Sequence, residues 1–258
     1  MFDTHLHLEQ YNQESLDKEI KKWQSVGVKG VIAVSNDLAS SYSTLELQAR
    51  YPDFVFAAVG FHPEKPLPTD ADFTEWQKLI QYEQKRITAI GEIGLPHYSL
   101  ENLQHSLEQY YEFLTECIEV ARVYDLPVAL HAVHDKAELV FNLLQKKGIA
   151  CAHFHWLKAP RNVVDKITGA GYFISFTPEI VYRKRDQDLA SAVPLSQLLI
   201  ETDGPWQFDA RFKNIPTTPV LLKEVLHELS MIKKSSYQEL LEQTSENARK
   251  CYRLNRLT

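Results

Sequence analysis

The chain has 258 residues, of which 44% are hydrophobic, 24% charged and 11% aromatic, an apolar content that excludes an intrinsically disordered protein. A formal net charge of −6 excludes nucleic-acid binding through a whole-protein basic field, so a polyanionic substrate has to be met by local cations. Three widely spaced cysteines, Cys117, Cys151 and Cys251, make neither a metal nor a redox pair and point to a reducing, cytoplasmic compartment. The opening Met1-Phe2-Asp3-Thr4-His5 lacks the basic and apolar regions of a signal peptide, and no apolar run approaches the roughly 20 residues of a membrane span. Ten histidines stand against only nine glycines, which makes the placement of the imidazoles the first question.

Short β-rich runs alternate with longer amphipathic ones along the whole chain. Strands are predicted at Met1–His5, Val28–Ser35, Phe54–Gly60, Ile87–Glu92, Pro127–His131, Ile149–His155, Tyr172–Phe176 and Leu198–Asp203. Helices are predicted between them at Ser15–Val26, Ser40–Arg50, Phe73–Gln84, Glu101–Tyr124, Asp135–Lys147, Arg161–Thr168 and Asp186–Ala192, and after the last strand at Pro219–Ser230 and Ser236–Arg253. Leu16, Ile20 and Trp23 recur at the helical period, as do Leu107, Tyr110, Tyr111, Leu114, Ile118 and Ala121. The strands are continuous apolar runs, such as Val31-Ile32-Ala33-Val34, which is the signature of a parallel sheet covered on both faces. Strand–helix alternation eight times over favours an α/β, single-domain (β/α)8 TIM barrel over residues 1–258, with an open doubly wound sheet as the alternative.

The predicted strand ends carry the chemistry. The first ends in Asp3-Thr4-His5-Leu6-His7, the third leads into His62, the fourth ends in Glu92, the fifth in His131, the sixth in His153-Phe154-His155 and the eighth in Asp203. A barrel gathers all these ends at one mouth, where imidazole and carboxylate together form the ligand set of a metal-dependent hydrolase. His5 and His7 are two residues apart, so on extended chain their side chains point the same way. Such a pair alone is weak evidence; the constellation carries the argument. Gly60, Gly91, Gly94 and Gly204 stand at the same ends and let backbone and cation approach closely.

The segments Asp3-Thr4-His5-Leu6-His7, Val59-Gly60-Phe61-His62-Pro63, Gly91-Glu92-Ile93-Gly94-Leu95, Leu126-Pro127-Val128-Ala129-Leu130-His131 and Glu201-Thr202-Asp203-Gly204-Pro205 resemble the ordered motifs of the TatD family. Thr244-Ser245-Glu246-Asn247-Ala248 resembles its closing motif. These are metal-dependent hydrolases of the amidohydrolase superfamily. The resemblance spans essentially the whole chain and implies a barrel with one or two divalent cations that hydrolyses phosphodiesters, typically DNA from an end. It places His5, His7, Glu92 and Asp203 on one cation, with Glu92 bridging to a second held by His131 and a strand-six histidine. His153 and His155 both stand there; counting back from Gly171, His155 falls in register with the family residue. Three departures lie at the mouth: Pro96-His97 where the family usually has Asp, Val133 where Arg is common, and Leu157-Lys158-Ala159-Pro160 in place of a glycine-bearing segment.

The expected activity is hydrolysis of a phosphodiester by metal-activated water, with Asp203 as the base, Glu92 as the bridging carboxylate and His62 on the substrate. The cluster Arg183-Lys184-Arg185 follows the seventh strand and is the expected phosphate contact; Lys158, Arg211 and Lys213 are further candidates. Trp206 either stacks a base or caps the apolar core, and His134-Asp135 either adds polar contacts or starts a helix with Asp135 as its cap. Mg, Mn, Zn, Fe and Ni are not distinguished by this ligand set. The expected partner is DNA or another phosphodiester, with no membrane and no obligate protein partner. The rivals are hydrolysis of a different bond, such as an ester, an amide or an aminoacyl-tRNA, and a non-catalytic metal-binding scaffold.

Overall fold

The computed structural model describes residues 1–254. All eight predicted strands form: β1 (Phe2–Leu6), β2 (Gly30–Val34), β3 (Val55–Val59), β4 (Ile87–Gly94), β5 (Val128–His131), β6 (Ala152–His155), β7 (Phe173–Phe176) and β8 (Leu198–Ile200). They make one parallel sheet in sequence order from β1 to β8, as a (β/α)8 TIM barrel. The seam is drawn together just beyond β8, where Asp203 N–H donates to His5 O at 2.9 Å and His7 N–H to Gly204 O at 2.8 Å. The Asp3 carboxylate reinforces it by accepting the Thr202 N–H at 3.0 Å and the Thr202 hydroxyl at 2.5 Å. The open doubly wound alternative is thereby excluded.

The helices α1 (Leu16–Ser25), α2 (Leu38–Arg50), α3 (Asp70–Glu83), α4 (Leu107–Val123), α5 (Lys136–Lys147), α6 (Arg161–Gly169), α7 (Lys184–Ala192), α8 (Leu222–Lys233) and α9 (Tyr237–Tyr252) follow the predicted pattern. One starts later than predicted, at the first residue of its apolar period. The segment predicted as Glu101–Tyr124 becomes helical only at Leu107, because Ser106 forms a reciprocal capping box with Gln109. Residues Leu100–Asn102 form a separate 3-10 turn, which leaves 95–106 as a connection at the mouth. No helix among the described residues is long and apolar enough to cross a membrane.

Two cores result. Outward strand residues such as Val31, Ala33, Ile90 and Ile93 pack with Trp23, Leu45 and Trp76 of the helices. The barrel interior holds Phe2, Ile32, Ala58, Ala89, Ala129, Phe173 and Leu199, into which α9 inserts Cys251 and Tyr252. Strict alternation from Phe2 would turn His5 outward, and from Ala89 it would do the same to Glu92. Register irregularities between Asp3 and Leu6 and between Ile90 and Ile93 reverse that parity, so Leu6, Ile90 and Ile93 all face the helices. His5 and Glu92 are thereby aimed into the barrel. A Cβ at Gly94 would lie 1.9 Å from His131 O, and one at Gly60 2.7 Å from Glu92 O. These glycines make room for neighbouring ligand-bearing strands, which corrects the expectation that they make room for a cation.

Candidate metal centre and active site

Two nests of donor atoms meet on Glu92. In the first, His5 Nε2 lies 3.1 Å and His7 Nε2 3.6 Å from Glu92 Oε2, and both nitrogens lie 3.6 Å from Asp203 Oδ1. In the second, His155 Nε2 lies 2.9 Å and His131 Nδ1 3.0 Å from Glu92 Oε1, and the two nitrogens are 3.2 Å apart. Ligands bonded at about 2.1 Å are separated by about 3.0 Å in an octahedron and about 3.4 Å in a tetrahedron. The donor spacings therefore fit a divalent cation in each nest, and the histidine–carboxylate donor set suits one. Among the described residues, donor groups with all atoms within 4.8 Å of one another include His5, His7 and Glu92, and His62, Glu92 and His131.

β5 and β6 pair in register with His131 opposite His155, which sets the second nest. It is His155 that reaches Glu92. His153 lies deeper, its Nδ1 2.6 Å from Tyr252 Oη and its Nε2 3.6 Å from Glu201 Oε2. Asp203 follows β8 with φ of +50°, a left-handed conformation that aspartate tolerates better than most residues. Its main-chain bonds to His5 O and from Trp206 N–H hold it there.

Protons and cations compete for this centre. Burial opposes ionisation of Glu92, yet His62, His155 and His5 hold its carboxyl well below the usual range. Burial, with Glu92, Glu201 and Asp3 nearby, pushes Asp203 well above it, against the pull of His155. Burial also disfavours charge on His155 and His131, but Glu92 and Glu201 push the first up, and Glu64 and Glu92 push the second up. In the first nest burial dominates: His7 falls to about 3, and His5 is lowered too.

His62 lies beside the second nest, with Nε2 3.4 Å from Glu92 Oε1. Its Nδ1 accepts the Glu64 main-chain N–H at 3.1 Å, and burial lowers its pKa to about 4. A neutral ring that accepts at Nδ1 carries its proton on Nε2, so His62 presents a donor to the cavity.

Two carboxylates were missed in the sequence. Glu201 is fully buried; it accepts the Trp156 N–H at 2.9 Å and stands 3.5 Å from His155 Nδ1. The signal was present, since Glu201 and Asp203 are two apart on the same strand extension. Glu64 lies 3.2 Å from His131 Nε2 and had no assignable neighbour in the sequence.

The nests open into a cavity of about 1140 Å3. Trp206 lines its mouth at 58% exposure, so it is not part of the apolar core. Lys158 also lines it, with Nζ 4.1 Å from the Trp156 ring centroid and 2.9 Å from Tyr98 Oη. Of the predicted basic cluster only Arg183 lines the cavity. Helix α7 begins at Lys184, so Lys184 turns to solvent beside Asp188 at 2.8 Å, and Arg185 pairs with Glu179 and Asp186. Arg211 pairs with Glu224, and neither it nor Lys213 lines the cavity. Asp135 makes no capping bond; its carboxylate meets His97 at 3.3 Å and Lys136 at 2.5 Å.

Residues 2–253 match the family described as TatD related DNase. An uncharacterized metal-dependent hydrolase of Haemophilus influenzae is 38% identical over 98% of this chain and 100% of its own length. The human protein named deoxyribonuclease TATDN3 is 27% identical over 98% of this chain and 94% of its own. Among solved structures, the TatD homologue YjjV of Escherichia coli K12 superposes with a TM-score of 0.87 at 24% identity, covering 98% of each chain.

Proposed function

Since this chain belongs to the TatD family of metal-dependent hydrolases, we propose that it is a deoxyribonuclease that cleaves phosphodiesters from a strand end, with divalent cations held by His5, His7, Glu92, Asp203, His131 and His155. The observation that carries this reading is the division of one carboxylate between two nests, Glu92 Oε2 facing His5 and His7 and Oε1 facing His131 and His155. A divalent cation, when bound, supplies the positive charge that makes water acidic enough to attack at neutral pH and that offsets charge on the phosphoryl oxygens.

The chain's own residues do the rest. Asp203 accepts the proton of the attacking water; its Oδ1 stands 3.6 Å from both His5 Nε2 and His7 Nε2, beside the first nest. Water oxygen bonds to phosphorus as the bond to the leaving oxygen breaks. His62 donates from Nε2 to a phosphoryl or leaving oxygen. Arg183 and Lys158 meet backbone phosphates, and exposed Trp206 offers a face for a base.

A second reading is hydrolysis of an ester or amide. Val133 lines the cavity, and Glu179 and Asp209 join it there, which favours a less anionic substrate than a long nucleic acid. The deciding experiment incubates the protein and Mg2+ or Mn2+ with end-labelled single-stranded and duplex DNA, beside a panel of esters, amides and aminoacyl-tRNA. Shortening of DNA from an end is expected. Turnover of the panel with intact DNA would replace the first reading with the second, and metal uptake without any turnover would leave a scaffold.

A further inference from the structure

The connection between β4 and α4 walls the cavity through Tyr98, Ser99 and Asn102. Residues 97–99 have neither helix nor strand to satisfy their main-chain N–H groups. All three groups converge on Glu64: His97 N–H donates at 2.8 Å, Tyr98 N–H at 3.0 Å and Ser99 N–H at 2.7 Å, and the Ser99 hydroxyl adds a bond at 2.5 Å. The same carboxylate faces His131 Nε2 at 3.2 Å. An ionised carboxylate has about four acceptor sites, so these donors fill it. Glu64 reaches this place because Pro63 and the turn from His62 O to Lys65 N–H carry the chain back over the strand ends.

We propose that Glu64 is a positioning residue shared by the second metal nest and the cavity wall. Its carboxylate accepts a hydrogen bond from His131 Nε2–H, which leaves Nδ1 free of its proton to face the cation, while its remaining bonds moor residues 97–99. Three main-chain donors fix the carboxylate itself, so His131 is oriented by a group that has no freedom to turn. A carboxylate behind a ligating histidine fixes the ring's tautomer and orientation, and its loss typically weakens metal binding by about 10–100-fold. Glu64 touches neither Glu92 nor Asp203 among its hydrogen-bond partners, so it reaches the first nest only through His131 and the shared Glu92.

The test compares wild type, Glu64→Gln and Glu64→Ala by calorimetric titration with Mn2+ and by amide hydrogen exchange. Expected are two cations in the wild type, a second-cation affinity about 10–100-fold weaker in both variants with the first weakened less, and faster exchange at residues 97–99. Glu64→Gln preserves side-chain size, so it remains informative if Glu64→Ala folds poorly. Unchanged binding of both cations, or equal weakening of both, overturns the proposal; faster exchange with unchanged metal binding reduces Glu64 to a loop anchor and overturns it too. A wild type that takes up no second cation removes the second nest itself, and the proposal with it. None of these outcomes depends on whether the substrate is DNA.

Discussion

The two nests on Glu92 are built differently. The first depends on one strand: His5 and His7 come from β1 and its extension, with Asp203 brought alongside by the barrel seam. Behind it stands little. The Asn36 amide faces His7 Nδ1 at 3.2 Å, and His5 Nδ1 has no hydrogen-bond partner among the described residues. The second nest depends on two strands in register, and each histidine has a carboxylate near it: Glu64 is hydrogen-bonded to His131, and Glu201 stands 3.5 Å from His155 Nδ1, which like His5 Nδ1 has no hydrogen-bond partner among the described residues. Burial, aided by the neighbouring imidazoles, keeps the first pair of rings neutral, whereas the carboxylates near the second pair raise their affinity for protons. The proposed base and the basic imidazoles are thus divided, Asp203 in one nest and the proton-holding rings in the other.

The largest effect is expected from Asp203→Asn, which removes the proposed base and keeps the shape. Activity per bound metal should fall by about 10²–10⁴-fold with the melting temperature nearly unchanged. Full activity after metal repletion would move the base elsewhere. Next comes Glu201→Gln, which should weaken the second cation by about 10–100-fold and the first, where Glu201 acts only through its charge on His5 and Asp203, by less; competition titration with Mn2+ measures both, and equal losses would erase the distinction between the nests.

A pH series sharpens the same distinction. His131 and His155 are raised, so each must lose a proton as its nest fills, while the lowered His5 and His7 are already neutral. As pH falls through the range where the raised His131 and His155 protonate, second-cation affinity should fall more steeply than first-cation affinity, where only the raised Asp203 competes. Calorimetry in buffers of different ionisation enthalpy counts the protons released, and equal counts would contradict this. The smallest effect is expected from Tyr252→Phe, which leaves the buried His153 Nδ1 without its partner. Stability should drop by about 1–3 kcal/mol in denaturant unfolding. Cation binding in the first nest should not change.

The barrel was legible in the chain because each strand is an apolar run and each helix an amphipathic one, and both patterns are local. His5, His7, Glu92, His131 and Asp203 stood out because titratable residues at the ends of apolar strands are costly to bury without a partner. Choosing His155 over His153 needed the resemblance, since both have the same parity; only packing against Tyr252 and Glu201 separates them. The start of α4 depended on a capping box at Ser106, and the basic cluster lost two members from the cavity once helix α7 turned them away.

What the sequence determined by itself is therefore the fold and the kinds of donor residue at the strand ends, because hydrophobic period and residue chemistry are properties of short segments. What only the tertiary structure decided is direction. The irregularities that turn His5 and Glu92 inward come from strand pairing, and Glu64 and Glu201 reach their histidines across 67 and 46 residues of chain. Contacts that distant leave no periodic trace in the sequence, because their geometry is set by how the strands close around the barrel.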